Sequence, residues 1–236
     1  MDDVIERPIA TPGPTPSRCS LDGLDLTWDD RVLAPRPWTQ LHSRWATELA
    51  ASLEPGPLLE LCCGVGHTGL LAVRDSGRAG ALVDANPVAC HHARRNARCA
   101  GLAGSVRVIE HRIDGGPVPG VPFEIPLVMA DPPYLRTSDL DQHRTDPSSA
   151  VDGGDDGLEL VRTVLRTASF HLSPDGVCLL QVRGRRQADL VARRLREDWQ
   201  DIPLVASEVR QLDDDRAIQL LRPTGSQALI GAVGPG

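Results

Sequence analysis

Two segments of this sequence carry residue types that could do chemistry together: LLELCCGVGHTGLLA, from Leu58 to Ala72, and MADPPY, from Met129 to Tyr134. The first is an apolar run, a turn holding Gly64, Gly66 and Gly69, and an amphipathic stretch. It reads as strand, turn and helix, a place where backbone N–H groups can come close to a nucleotide-like ligand. Three glycines there are conformationally costly unless a ligand or tight packing uses them. The second segment puts a carboxylate (Asp131), two prolines (Pro132, Pro133) and the chain's only tyrosine (Tyr134) at the end of another apolar run. Proline pairs also terminate strands, so DPPY alone reads as a turn. At the edge of a sheet that already holds a ligand loop, it reads as a rigid polar clamp. Together the segments point to group transfer onto a flat, nitrogen-bearing acceptor.

Two ligands compete for the glycine loop. Gly64-x-Gly66-x-x-Gly69, with Asp84 twenty residues after Gly64, satisfies the dinucleotide fingerprint literally and on its own points to NAD. Glu60 pulls the other way: it lies inside the strand end, where a dinucleotide needs only an apolar residue and S-adenosylmethionine wants an acid near its ammonium group. No lysine occurs among the 25 basic residues, which removes a Tyr/Lys hydride-transfer pair and any Schiff base. The methyl donor is the favoured ligand.

For that reaction the clamp has a defined task. The lone pair of an amide or ring-attached amine is delocalised, so it must be drawn out before it can displace a sulfonium. Asp131 can accept one hydrogen of an N–H₂ group and the Pro132 carbonyl the other, with negative potential where positive charge develops. Pro132 and Pro133 hold both acceptors fixed. Tyr134 can stack on a flat acceptor.

An alternating series of elements must position these residues. Apolar positions Leu41, Trp45, Leu49 and Leu53 predict a helix after the lead-in DLTWDDRVLAPRPWTQ. Strands are expected at Leu58–Cys62, Ala81–Asp84, Val106–Glu110, Ile125–Ala130, Val177–Val182, Leu204–Val209 and Ala217–Leu221. Helices are expected at His67–Arg74, Pro87–Ala100, Gly157–Leu172 and Arg186–Trp199. Strands alternating with helices give an α/β, doubly wound, mostly parallel seven-stranded sheet. Asp213–Asp215 leaves no room for a helix, so the last two strands form an antiparallel hairpin. The polar stretch Leu135–Val151 fits a lid over the acceptor.

Length and composition set the outer limits. At 236 residues and 41% hydrophobic content, the chain supports one domain, expected over residues 19–223, between a disordered segment 1–18 and a flexible tail 224–236. A net charge of −7 disfavours a general nucleic-acid binder. The N-terminus has neither the basic start nor the apolar core of a signal peptide, and no apolar run reaches the ~18 residues of a membrane span. A cytoplasmic protein without membrane association is expected. The six cysteines show no C-x-x-C spacing and read as buried thiols, with no metal site. His91 and His92, and the arginines of Arg183–Arg196, read as helix faces.

Glu60–Gly69, Asp84–Pro87 and Asp131–Tyr134 resemble the motifs of class I S-adenosylmethionine-dependent methyltransferases, whose sheet is Rossmann-like. The resemblance implies that Gly64 and Gly66 line the cofactor, with Cys62 where many members carry glycine. It implies that Glu60 supports the amino-acid end, that Asp84 and the adjoining Ala85 meet the ribose, and that Asp114 lies beside the adenine. The similarity is closer to the release-factor glutamine-N5 methyltransferases and small-domain methylases, over about Arg31 to Arg222. RVLAPRPWTQ is similar to that family's lead-in, DGGDDGLEL (Asp152–Leu160) to its glycine-rich segment, and Leu172–Val182 with Gln187 to its later pattern. Two departures stand out: Asp131 replaces the usual asparagine, a version more typical of adenine methylases, and no counterpart of the helical release-factor-gripping domain is expected. The implied acceptor is a protein glutamine or a small molecule. A nucleobase methyltransferase and a cofactor-binding pseudoenzyme acting through protein contacts are the alternatives; an intact clamp speaks against the second, and nucleic acid is not favoured.

Overall fold

The computed structural model describes residues 15–226. It opens with a small antiparallel hairpin, β1 (Ser17–Leu21) and β2 (Leu24–Trp28). Asp22 and Gly23 both take positive φ, 50° and 77°, the turn that an Asp-Gly pair favours because its twist matches the strands. This hairpin corrects the sequence reading, which placed Ser17 and Arg18 in a disordered segment and read Asp25–Trp28 as lead-in. The expectations for residues 1–14 lie outside the described residues.

A single-turn 3-10 helix (Pro37–Thr39) leads into α1 (Gln40–Ala50). The alternation then follows: β3 (Leu58–Leu61), α2 (His67–Ser76), β4 (Gly80–Asp84), α3 (Pro87–Cys99), β5 (Val106–Glu110) and β6 (Ile125–Ala130). After a 3-10 stretch (Thr137–His143) and the short α4 (Ser148–Val151) come α5 (Glu159–His171), β7 (Leu172–Val182), α6 (Gly184–Glu197), β8 (Leu204–Asp213) and β9 (Arg216–Pro223). The stretch Leu135–Val151 is therefore partly helical.

Seven strands form one sheet in the order β5-β4-β3-β6-β7-β9-β8. β3 to β7 pair in parallel, and β9 pairs antiparallel with both β7 and β8, so the hairpin folds back to insert β9 next to the parallel set. The central strands are covered on both faces, which is why β6 (IPLVMA) is buried at all six positions. Leu58, Leu127 and Met129 face α1 and α2, where Trp45, Ala72 and Val73 pack. Leu59, Leu61, Val128 and Ala130 face the opposite way, toward Val161, Val164 and Leu165 of α5 and Ala188 and Val191 of α6. Strand order reverses between β3 and β6, which opens a crevice above their carboxyl ends.

Element ends shift at several places, β8 running on to Asp213 among them, and three departures bear on the packing. β7 begins at Leu172, with a register irregularity against β6 that absorbs the Pro174-Asp175-Gly176 turn. Helix α5 starts at Glu159, because Gly157 adopts φ +74°. Of the expected tail, Ser226 is fully buried and its hydroxyl donates to an Asp175 carboxylate oxygen at 3.2 Å; residues 227–236 lie outside the described residues.

Candidate active site

The turn after β3 is built from left-handed backbone. Cys62, Gly64 and Gly66 have φ of 61°, 54° and 84°. Glycine takes such angles freely, whereas a side chain there costs ~1 kcal/mol, so the thiol of Cys62 occupies a position suited to glycine. Burial and the nearby Asp84, Asp131 and Glu60 push that thiol well up, so it stays protonated and is no nucleophile. The Gly64 N–H donates to one Asp84 carboxylate oxygen at 2.7 Å, and the Asn86 N–H donates to the other at 2.8 Å. Asn86 also caps α3 by accepting from the Val88 N–H at 2.9 Å, with Pro87 at the first helical position.

Three acids converge where β3, β4 and β6 end. Glu60 is 2% exposed in β3, Asp84 ends β4, and Asp131 follows β6, held to the sheet by its N–H donating to Leu61 O at 3.3 Å. Burial raises all three carboxyls: Glu60 well above its ordinary value, with Asp131 and Asp84 adding to the effect, and Asp131 to about 7. Desolvated carboxyls facing one cavity favour a ligand that brings positive charge or hydrogen-bond donors to them.

The cavity they line measures about 770 Å³, the size of a nucleoside-containing ligand with a small acceptor beside it. Glu60, Cys62, Gly64, Asp84, Ala85, Asp131, Pro132, Pro133 and Tyr134 are all on its wall. Gly66 is not. A Cβ there would stand 3.2 Å from Ala93 Cβ and 3.3 Å from Leu82 Cδ2, so this glycine serves close packing of the turn on α3. Gly69 similarly makes room for the Glu60 carboxylate. Asp114 is also off the wall: it is exposed and accepts from the Gly116 N–H at 2.9 Å, and its neighbours Arg112 and Ile113 line the cavity instead.

The clamp is braced from below. The Gln187 side-chain amide donates to Tyr134 O at 2.9 Å and Gly157 O at 3.3 Å, while its oxygen accepts from the Arg183 N–H at 2.7 Å. A Cβ on Gly157 would collide with the Tyr134 carbonyl, and one on Gly153 would lie 2.8 Å from Pro133 O. The glycine-rich DGGDDG segment is thus the floor on which DPPY rests. Burial pushes the Tyr134 phenol up, so it remains a neutral aromatic face.

Several wall residues escaped the sequence reading. Trp38 and Thr39 come from the lead-in and His67 from the first turn of α2. The Thr39 hydroxyl donates to Arg36 O at 2.7 Å, so its oxygen is left to accept from His67 Nε2–H at 2.8 Å. Burial lowers His67 to about 4, consistent with a neutral ring in that tautomer. Arg36 forms an ion pair with Asp146, joining the lead-in to the Leu135–Val151 stretch across the rim. Trp38 lies under the Arg216 guanidinium at 4.0 Å from its ring centre. A Pro-Trp-Thr step gives no periodic signal that could have marked it.

No family model matches the chain. Curated relatives do, among them a release factor glutamine methyltransferase of Deinococcus radiodurans, 33% identical over 75% of this chain and 64% of its own length, and a ribosomal protein uL3 glutamine methyltransferase of Bradyrhizobium diazoefficiens, 32% identical over 84% and 67%. The chain belongs to the glutamine methyltransferase family. It spans about two thirds of the length of these two relatives. The fold is shared more widely: a methyltransferase from Pyrococcus furiosus superposes with a TM-score of 0.60 over 85% of this chain and 89% of its own, at 19% identity. Within the glutamine methyltransferase family, the glycine turn, the Asp84 strand end and the Asp131–Tyr134 clamp of this chain all open on one cavity.

Proposed function

We propose that this chain is an S-adenosylmethionine-dependent N-methyltransferase whose acceptor nitrogen belongs to a planar N–H₂ group, with a protein glutamine as the leading acceptor. The observation that carries the reading is the convergence of Glu60, Asp84 and Asp131 on one cavity beside the Pro132 backbone. When bound, the donor supplies an electrophilic methyl group on a positively charged sulfur. Glu60 and Asp84 suit its ammonium and ribose hydroxyls, and the open backbone at Gly64 allows close approach.

Asp131 and the Pro132 carbonyl act on the acceptor. Each accepts one N–H hydrogen, which fixes the nitrogen and localises its lone pair toward the methyl carbon. With a donor bound, the nitrogen that takes the methyl would turn acidic. Asp131, whose carboxyl lies near neutrality, is placed to take its proton. The names of the two curated relatives support a protein glutamine; the flat faces of Trp38 and Tyr134 on the wall support a ring-attached amine as the second reading.

Labelled donor, purified protein and a glutamine-centred peptide test the proposal directly. Mass spectrometry should place one methyl on the side-chain nitrogen. A methyl on oxygen, sulfur or carbon refutes the nitrogen assignment.

A further inference from the structure

A second cavity, of about 720 Å³, opens on the far side of Tyr134. Its walls are the start of α6, the tip of the β8–β9 hairpin and the segment just after DPPY, and Tyr134 and Arg136 bring it up to the clamp. The first cavity, at about 770 Å³, has the volume for a donor and a small acceptor group. A second space of similar size, sharing the clamp tyrosine as a wall, suits an acceptor that continues beyond its reacting group.

The charges on its walls are uneven in how they are spent. Arg183 pairs with Asp139 and with Asp215 at 3.3 Å, Arg185 with Asp189 at 2.9 Å, and Asp156 with Arg194 at 3.6 Å. Arg136 and Arg186 are exposed and, among the described residues, make no ion pair or side-chain hydrogen bond; Asp214 is the one wall carboxylate in the same condition. The unspent charge is therefore two guanidiniums against one carboxylate. The wall is also stiff: Gly184, at φ +62°, packs so closely on the Asp214 carbonyl that a Cβ there would collide with it. The hairpin tip cannot swing away without leaving α6.

We propose that this second cavity holds the polypeptide flanking the methylated residue, and that Arg136 and Arg186 select acidic side chains in that flank. The inference rests on the glutamine reading above for the identity of the reacting group. What it adds is that two residues outside the first cavity, Arg136 and Arg186, determine specificity.

Two fluorescein-labelled peptides with a central glutamine, one flanked by glutamates and one by lysines, provide the test. Fluorescence anisotropy in the presence of S-adenosylhomocysteine measures binding, and label transfer in parallel samples measures chemistry. The glutamate peptide should bind about fivefold more tightly than the lysine peptide, the scale of two partly exposed ion pairs, with the gap closing at high salt. Arg136→Glu with Arg186→Glu should reverse the preference while leaving S-adenosylhomocysteine affinity unchanged; both sites are exposed, and a melting curve confirms folding. Equal binding of the two peptides, a preference that survives the double change, or no binding of either peptide overturns the proposal. Charge-dependent binding without transfer keeps the groove and removes the glutamine reading. Transfer without charge preference does the reverse.

Discussion

The Gly64 N–H and the Asp84 carboxylate lie 2.7 Å apart, so the turn after β3 and the end of β4 are one structural unit before any ligand arrives. Asp84 therefore holds the glycine turn in its left-handed path, and in the proposed function its remaining acceptor capacity is what a donor's ribose would meet. Asp84→Ala should weaken S-adenosylhomocysteine binding by about 1–3 kcal/mol, the scale of losing charge-assisted hydrogen bonds. Titration calorimetry checks it, and unchanged affinity would remove Asp84 from the donor site. Tight NAD binding by the parent would overturn the donor assignment itself.

Asp131 separates binding from chemistry. Asp131→Ala should reduce methyl transfer by about 10²-fold or more, the scale of a lost general base or transition-state acceptor, with donor affinity nearly intact. Asp131→Asn should retain measurable transfer, because the amide oxygen can accept the same hydrogen bond. An alanine variant that turns over like the parent contradicts the clamp.

The same residue sets a pH dependence. Burial lifts Asp131 to about 7, and below that value its carboxyl is protonated and no longer a full acceptor. With the donor-free enzyme as reference, kcat/KM should rise with pH through a limb centred near 7, and Asp131→Asn should flatten it. The stability effect has the opposite sense. A carboxyl raised from 3.8 in the unfolded chain favours the folded state most below that value and loses this contribution as pH climbs toward 7. Melting temperatures of the donor-free parent should accordingly fall across that window relative to Asp131→Asn.

Gly157 supports the clamp from beneath, with φ +74° and no space for a Cβ against the Tyr134 carbonyl. Gly157→Ala should cost about 1–3 kcal/mol of stability from left-handed strain and the collision. It should also lower transfer by displacing Tyr134, with S-adenosylhomocysteine affinity little changed. Thermal unfolding and calorimetry together read both effects.

Much of this arrangement was legible in the sequence because it lies in local signals. The strand-turn-helix at Leu58–Ser76, the capped start of α3 at Asn86-Pro87 and the closing hairpin at Asp213–Arg216 each announce themselves within a few residues. The β1–β2 hairpin also had its signal, Asp22-Gly23 between apolar residues, but its polar flanks read as lead-in. What stayed hidden depends on tertiary packing. The packing of Ala93 and Leu82 against Gly66 and the turn that the Asp114 carboxylate closes at Gly116 have no signal in the spacing of the glycines and acids. The contacts of Trp38 and His67 join segments far apart in sequence, which no spacing rule anticipates.

The Arg36–Asp146 pair ties two remote stretches of chain together on the wall of the 770 Å³ cavity, with Asp146 only 14% exposed at its side chain. A cross-brace of this kind makes the lead-in and the Leu135–Val151 stretch breathe in unison: neither can swing outward without stranding a half-buried charge. Amide protons of the two stretches should exchange with matched protection, and that protection should erode together as ionic strength rises. The rate at which the cavity admits and releases its ligands is then a property of the salt around the protein as much as of the residues within it.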